Sequence, residues 1–109
     1  MRYQLEVSSR AVPGREADYN RWYDETHVRE VLALPGFLAC QRYTRIAAGS
    51  PGSPVDGESV AFYEVETDDP QALLQLLFAA SPSMQLTDAI DVQSVRFEFL
   101  KPNGGLHRS

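Results

Sequence analysis

His27 is the side chain in the body of this chain whose ordinary pKa lies nearest neutrality, which suits it to proton exchange or metal binding. It sits in the window NRWYDETHVREVLALPGF, residues 20–37, behind a Trp22–Tyr23 pair and ahead of Glu30 and a Pro35–Gly36 stop. On an α-helix, Tyr19, Tyr23 and His27 fall within about 80° of one another on one face. Leu34 continues that stripe, Trp22, Thr26 and Ala33 flank it, and Glu30 lands one turn beyond His27. A carboxylate so placed can accept a hydrogen bond from the imidazole, fix its tautomer and raise its pKa. A phenol one turn earlier can donate a hydrogen bond. The spacing therefore permits a Tyr23–His27–Glu30 ladder, a general acid/base with two attendants. The same residues also have a structural reading: Trp22 and Tyr23 as helix–sheet core, His27 as a packed side chain and Glu30 as a solvated one.

Other chemistries find less support. Asp24 and His27 have the i,i+3 spacing of carboxylate-rich metal sites, but the second helix offers no matching ligands, so no metal is expected. The single cysteine, Cys40, excludes an internal disulfide, fits a reducing compartment and reads as a small mid-strand hydrophobe. A GxSxG elbow, a glycine-rich phosphate loop and a GxGxxG fingerprint are all missing, so no nucleotide cofactor is expected. A net charge of −5 argues against nucleic acid as a partner. No apolar run is long enough to span a membrane, and MRYQLEV begins as a strand rather than a secretory signal. The expectation is a cytoplasmic protein.

The elements that must position His27 are legible from period and punctuation. The chain's 109 residues suit one domain, taken as residues 1–101 with a frayed tail at 102–109 that contains His107. Tyr3, Leu5 and Val7 alternate with Gln4, Glu6 and Ser8, which predicts a strand over 2–9. Pro13–Gly14 breaks it, and residues 15–34 predict a helix ended by Pro35–Gly36. Strands follow at 37–47 and 59–66, joined by the mobile loop GSPGSPVDG at 49–57. Asp68–Asp69–Pro70 starts a second helix that stops near Ser81–Pro82, and the alternation of 92–100 predicts a fourth strand.

The order β-α-β-β-α-β predicts a ferredoxin-like α+β fold, a four-stranded antiparallel sheet with two helices on one face. Leu5, Val7, Tyr63, Val65, Val95, Phe97 and Phe99 are then expected to face the helices. Gln4, Glu6, Phe62, Glu64, Arg96 and Glu98 fall on the open side, a mixture that suits solvent or a mate of complementary charge. Val28 and Leu32 fall opposite the histidine stripe, with Arg21 and Glu25, as a possible partner contact.

At NRWYDETHVREVLALPGFLACQRY the chain resembles the dimeric α+β barrel superfamily, and within it the EthD-like branch. The resemblance rests on Trp22, Tyr23, His27, Pro35, Gly36, Phe37, Arg42 and Tyr43. It implies a homodimer whose sheets pack face to face, helices outside, with a pocket between helices and sheet in each subunit. Similar proteins include cofactor-free monooxygenases, cyclases, isomerases and dehydratases acting on aromatic or polyketide-like molecules, and others with no known activity. Of the family's catalytic groups, only the helix histidine carries over, to His27. The expectation is a small cofactor-independent enzyme with His27 as general acid/base and Glu30 orienting it. Tyr23 or Tyr63 would hold a developing oxyanion, and Tyr19, Trp22 and Phe97 would line apolar walls. The alternative is a non-catalytic dimeric protein that binds an apolar or aromatic small ligand or assists a partner enzyme.

Overall fold

Alternating apolar residues build the central strand β1 (Arg2–Ala11), on which Leu5 and Val7 are buried. The computed structural model describes residues 1–49 and 51–109, so Ser50 of the 49–57 loop lies outside the described residues. After β1 the chain turns at Gly14 and enters a long helix, α1 (16–32), in three consecutive segments: α-helix Glu16–Trp22, π-helix Tyr23–His27 and α-helix Val28–Leu32. Strands β2 (Phe37–Thr44) and β3 (Ser59–Glu66) form a hairpin. Helix α2 (Pro70–Ala80) runs into a short 3-10 turn, Ser81–Ser83, and β4 (Ile90–Leu100) closes the order. At the start of α2, the Asp69 side chain accepts from Ala72 N–H at 3.1 Å and Pro70 occupies the first turn, as the Asp-Asp-Pro sequence predicts.

The sheet is antiparallel throughout, in the order β2-β3-β1-β4. That order, with two helices packed on one face, is the ferredoxin-like α+β fold. Register places Leu5 between Tyr63 and Phe99, and Val7 between Ala61 and Phe97. Leu5, Val7, Tyr63 and Val65 are buried under the helices, together with Tyr19, Tyr23 and Val31 of α1 and Leu73 and Leu77 of α2. Val95, Phe97 and Phe99 pack half-buried at the margin of that core, on the edge strand.

The open side is less uniform than alternation suggests. Ser8, Glu58 and Val60 are buried there, while Gln4, Glu64, Arg96 and Glu98 are exposed. Glu58 accepts from Arg45 Nε at 2.8 Å and from Arg96 Nη2 at 2.7 Å, and Arg45 also reaches Glu6. A buried carboxylate is tolerable only when its lone pairs are filled in this way. Residues 101–109 are exposed and carry no regular element.

Element ends differ from expectation where side chains or turns intervene. Strand β2 stops at Thr44, although Arg45 N–H still donates to Glu58 O at 2.8 Å as the hairpin opens into its loop. Strand β1 continues to Ala11 through a register shift between Ser8 and Arg10, where Ser94 Oγ takes up the Arg10 N–H at 2.8 Å.

The Pro35–Gly36 stop works through one glycine. Gly36 has φ +91°, its carbonyl accepts from Glu66 N–H at 2.9 Å, and a Cβ there would lie 3.0 Å from both Glu66 O and Leu73 Cδ1. A side chain at left-handed φ costs about 1–2 kcal/mol before any clash. Gly36→Ala is therefore expected to destabilise the fold by about 2 kcal/mol or more, measured by urea unfolding. Gly14→Ala, where a Cβ meets nothing within 4 Å, should show the φ penalty alone.

Candidate functional site

The π segment of α1 arranges the side chains that the sequence singled out. Its i→i+5 bonding, with Val28 N–H donating to Tyr23 O, inserts a wider turn between two α-helical stretches. In an unbroken α-helix, residues five apart point about 140° from each other. Here Trp22 and His27 instead stack, with ring centroids 4.5 Å apart and planes 18° apart. Tyr23 stands edge-on to His27 at 5.1 Å and to Trp22 at 5.4 Å. The wider turn also swings the following residues: Val28 and Leu32, placed by the helical wheel on the outer side, pack half-buried against the core.

One residue from the sheet braces this turn. The Arg42 guanidinium donates to Asn20 Oδ1 at 2.7 Å and to Asp24 Oδ1 at 2.8 Å, and so grips both sides of the junction between α and π geometry. It also reaches Ser59 Oγ at 3.0 Å and lies 4.3 Å over the Tyr23 ring, a cation–π contact. The sequence marked Arg42 only as part of a fold signature. Its contact with Asp24 also accounts for the carboxylate that the i,i+3 spacing had offered to a metal.

Between α1, the sheet and β4 lies a cavity of about 360 Å³. That is within the range of small-molecule sites. Trp22, Tyr23, His27, Tyr63 and Phe97, all anticipated as site residues, line it. Its outer wall is the stretch Met84–Thr87, which the sequence presented as a plain loop; the signal was two apolar residues, Met84 and Leu86, in an otherwise polar connection. Leu86 and Val92 are strongly exposed at this rim.

Two anticipated residues take other roles. Tyr19 is buried behind the cavity, its hydroxyl 2.5 Å from Ser9 Oγ, and it supports the wall rather than forming it. Glu30 does not bond His27. Its carboxylate accepts from Gln85 N–H at 3.0 Å, while Trp22 Nε1 donates to Gln85 O at 2.9 Å. Both polar groups of the Gln85 backbone are thus tied to α1, and the outer wall is pinned at that residue. The ladder permitted by spacing is not formed, because the carboxylate satisfies a backbone N–H instead.

Charge in the cavity follows from burial. His27 is half-buried, and its Nδ1 is buried with no hydrogen-bond partner among the described residues. Burial lowers its pKa below the ordinary 6.5, and the opposing pull of nearby Glu30 is the smaller effect. Burial therefore favours the neutral form of the imidazole. Burial also pushes the Tyr23 and Tyr63 phenols far above their ordinary range, so both remain protonated. Burial thus favours the uncharged form of all three side chains. No group of three or more His, Cys, Asp or Glu among the described residues could hold a metal ion, and no described helix is long and apolar enough to cross a membrane.

No protein-family model matches the chain, and no curated protein matches it either.

Because the folded His27 binds its proton less tightly than the unfolded one, protonation favours unfolding, and stability should fall as pH drops below about 6.5. Above that pH the residue contributes no slope. An NMR titration of the His27 ring is expected to give a midpoint below 6.5, and His27→Gln should flatten the acid side of the stability curve. A midpoint above that value would mean that Glu30 outweighs burial.

Proposed function

We propose that this chain is a small enzyme acting on an aromatic or polyketide-like carbonyl compound, with His27 as the base that removes a proton beside the carbonyl. The observation that carries this reading is the place of His27 on the wall of a largely apolar cavity, where burial lowers its pKa, beside Tyr23 and Tyr63, whose phenols burial keeps protonated. In the step, the C–H bond breaks, its proton passes to the imidazole nitrogen, and the electron pair moves onto the carbonyl oxygen as an enolate. A phenolic O–H donates to that oxyanion, and the imidazolium then returns the proton to the rearranged product. The chemistry is redox-neutral and is completed by the chain's own groups. A folded-state pKa below 6.5 suits the first half, in which His27 must start unprotonated.

A second reading has its own support. No Asp, Glu, Lys or Arg is among the residues lining the cavity, so His27 lacks an orienting carboxylate, as befits a module that only binds its ligand. Proton exchange separates the two. Incubated in D₂O with aryl ketones and linear diketones, the protein is expected to accelerate deuterium uptake beside the carbonyl, followed by NMR. His27→Ala should reduce that rate by about 10²–10⁴-fold while ligand binding, read from the emission of the single tryptophan Trp22, persists. No exchange in the wild type, with binding intact, would favour the binding module.

We further propose the dimeric α+β barrel of the EthD-like branch as the working assembly. The open sheet face supports it: Phe62 is half-buried and Tyr43 exposed, their rings 5.6 Å apart edge to face, amid charges of both signs. A second sheet laid on this face would bury both rings. Light scattering is expected to show twice the 12.2 kDa of one chain, and a Tyr43→Glu, Phe62→Glu variant should run as a monomer with unchanged circular dichroism.

A further inference from the structure

We infer that Trp22 is the positioning residue for His27: the indole face, itself pinned by the Gln85 backbone, sets the plane of the imidazole. The assignment deepens the proposed function and rests on its reading of His27 as the group that meets the ligand.

A histidine that exchanges protons needs a fixed ring, and its usual orienter is a carboxylate or carbonyl that accepts from one ring nitrogen. His27 has no such orienter. Its Nδ1 is buried with no hydrogen-bond partner among the described residues. Hydrogen bonding has no part in its charge balance, which burial and the through-space pull of Glu30 set between them. The Glu30 carboxylate is committed to Gln85 N–H, with its two oxygens at 3.0 and 3.3 Å.

What meets the ring instead is aromatic. Trp22 covers its face, with centroids 4.5 Å apart and planes 18° apart, while Tyr23 stands edge-on at 5.1 Å and 88°. An edge contact bounds the imidazole on one side. A parallel ring covers its whole plane, so a turn about the Cβ–Cγ bond would drive the imidazole into the indole. The π turn makes this stack possible, because it brings together residues five apart.

The indole is held in its turn. Its Nε1 donates to Gln85 O at 2.9 Å, and the rings of Tyr23 and Tyr19 abut it with centroids at 5.4 and 6.3 Å. By fixing the Gln85 N–H, Glu30 completes the clamp. Glu30 thus acts on the orientation of His27 by way of Gln85 and Trp22, without touching the ring.

The test labels the histidine rings of the full chain with ¹³C and reads the motion of His27 from the relaxation of its ring C–H groups. His107, exposed in the tail outside any regular element, is the mobile reference. In the wild type, His27 is expected to show an order parameter of about 0.85, and Trp22→Leu should lower it below about 0.6. Trp22→Phe keeps an aromatic face and should recover most of that loss. Glu30→Ala should loosen the ring partway, whereas Glu30→Gln retains an acceptor for Gln85 N–H and should not. In the D₂O exchange assay, Trp22→Leu should lower kcat about 10- to 100-fold with KM little changed, as displacement of a reacting group does, and Trp22→Phe should stay close to the wild type.

A wild-type His27 as mobile as His107 would overturn the inference. So would a ring that stays rigid in folded Trp22→Leu, which would give the task to Tyr23, or equal mobility in Trp22→Leu and Trp22→Phe. Should Trp22→Leu fail to fold, an unchanged ring in Glu30→Ala would overturn it by the same logic. Proton exchange by the wild type, with ring order unmoved in every variant, would overturn the inference and leave the catalytic reading standing. Ring order that follows the expected series, without any proton exchange, would uphold the positioning role and remove the catalytic reading.

Discussion

One guanidinium holds the geometry on which the cavity depends. A helix that changes from α to π and back must accept a less favourable turn, and such turns persist when their surroundings fix them. Arg42 supplies that fixation from the sheet, because its fork spans Asn20 and Asp24 on either side of the change and its plane covers Tyr23. Hydrogen bonds to charged groups are among the stronger ones, and this guanidinium is largely shielded from water. With the turn in place, Trp22 and His27 stack and Trp22 reaches Gln85, so the inner and outer walls share one set of contacts.

The second governing balance is between burial and nearby charge. Glu30 is close enough to pull the His27 pKa upward, yet burial of the ring prevails. The distinction is geometric. A carboxylate that accepted directly from the ring would raise the pKa strongly, whereas one committed to the Gln85 backbone acts only through space. Glu30 therefore shapes the wall that shields His27 while contributing weakly to its charge state.

Much of the fold was legible in the sequence, because its signals are local. Two-residue alternation marked β1 and β4, Pro35–Gly36 and Asp69–Pro70 marked helix ends, and the element order fixed a ferredoxin-like sheet. Five of the seven anticipated site residues line one cavity. The misplaced residues have separate causes. A helical wheel assumes a constant 100° step, and the π turn violates it at Tyr23–His27. The positions of Val28 and Leu32 therefore could not be read from period. Nor could the destination of Glu30, whose partner lies 55 residues away on a loop that no local pattern brings near. Arg42 escaped for the same reason: its partners are on another element, and a strand arginine carries no sign of which helix it will meet.

The departures from local rules are also concentrated. At the ends of α2 and at Gly36 the chain follows ordinary capping and turn chemistry. Around α1 it departs from it three times: a π turn, an unpaired phenol and an unpaired imidazole nitrogen, with Arg42 Nε as a third buried atom lacking a partner among the described residues. Each departure weakens the fold by itself, and each lies at or directly behind one cavity. A sequence selected only for stability would relieve them cheaply, since Tyr63→Phe alone removes the orphaned hydroxyl and keeps the ring. Sequences that otherwise agree with their fold at every level tend to break local rules where function demands it. These departures thus gather on α1 and the elements packed against it, around the space beside His27, and they do so independently of any resemblance.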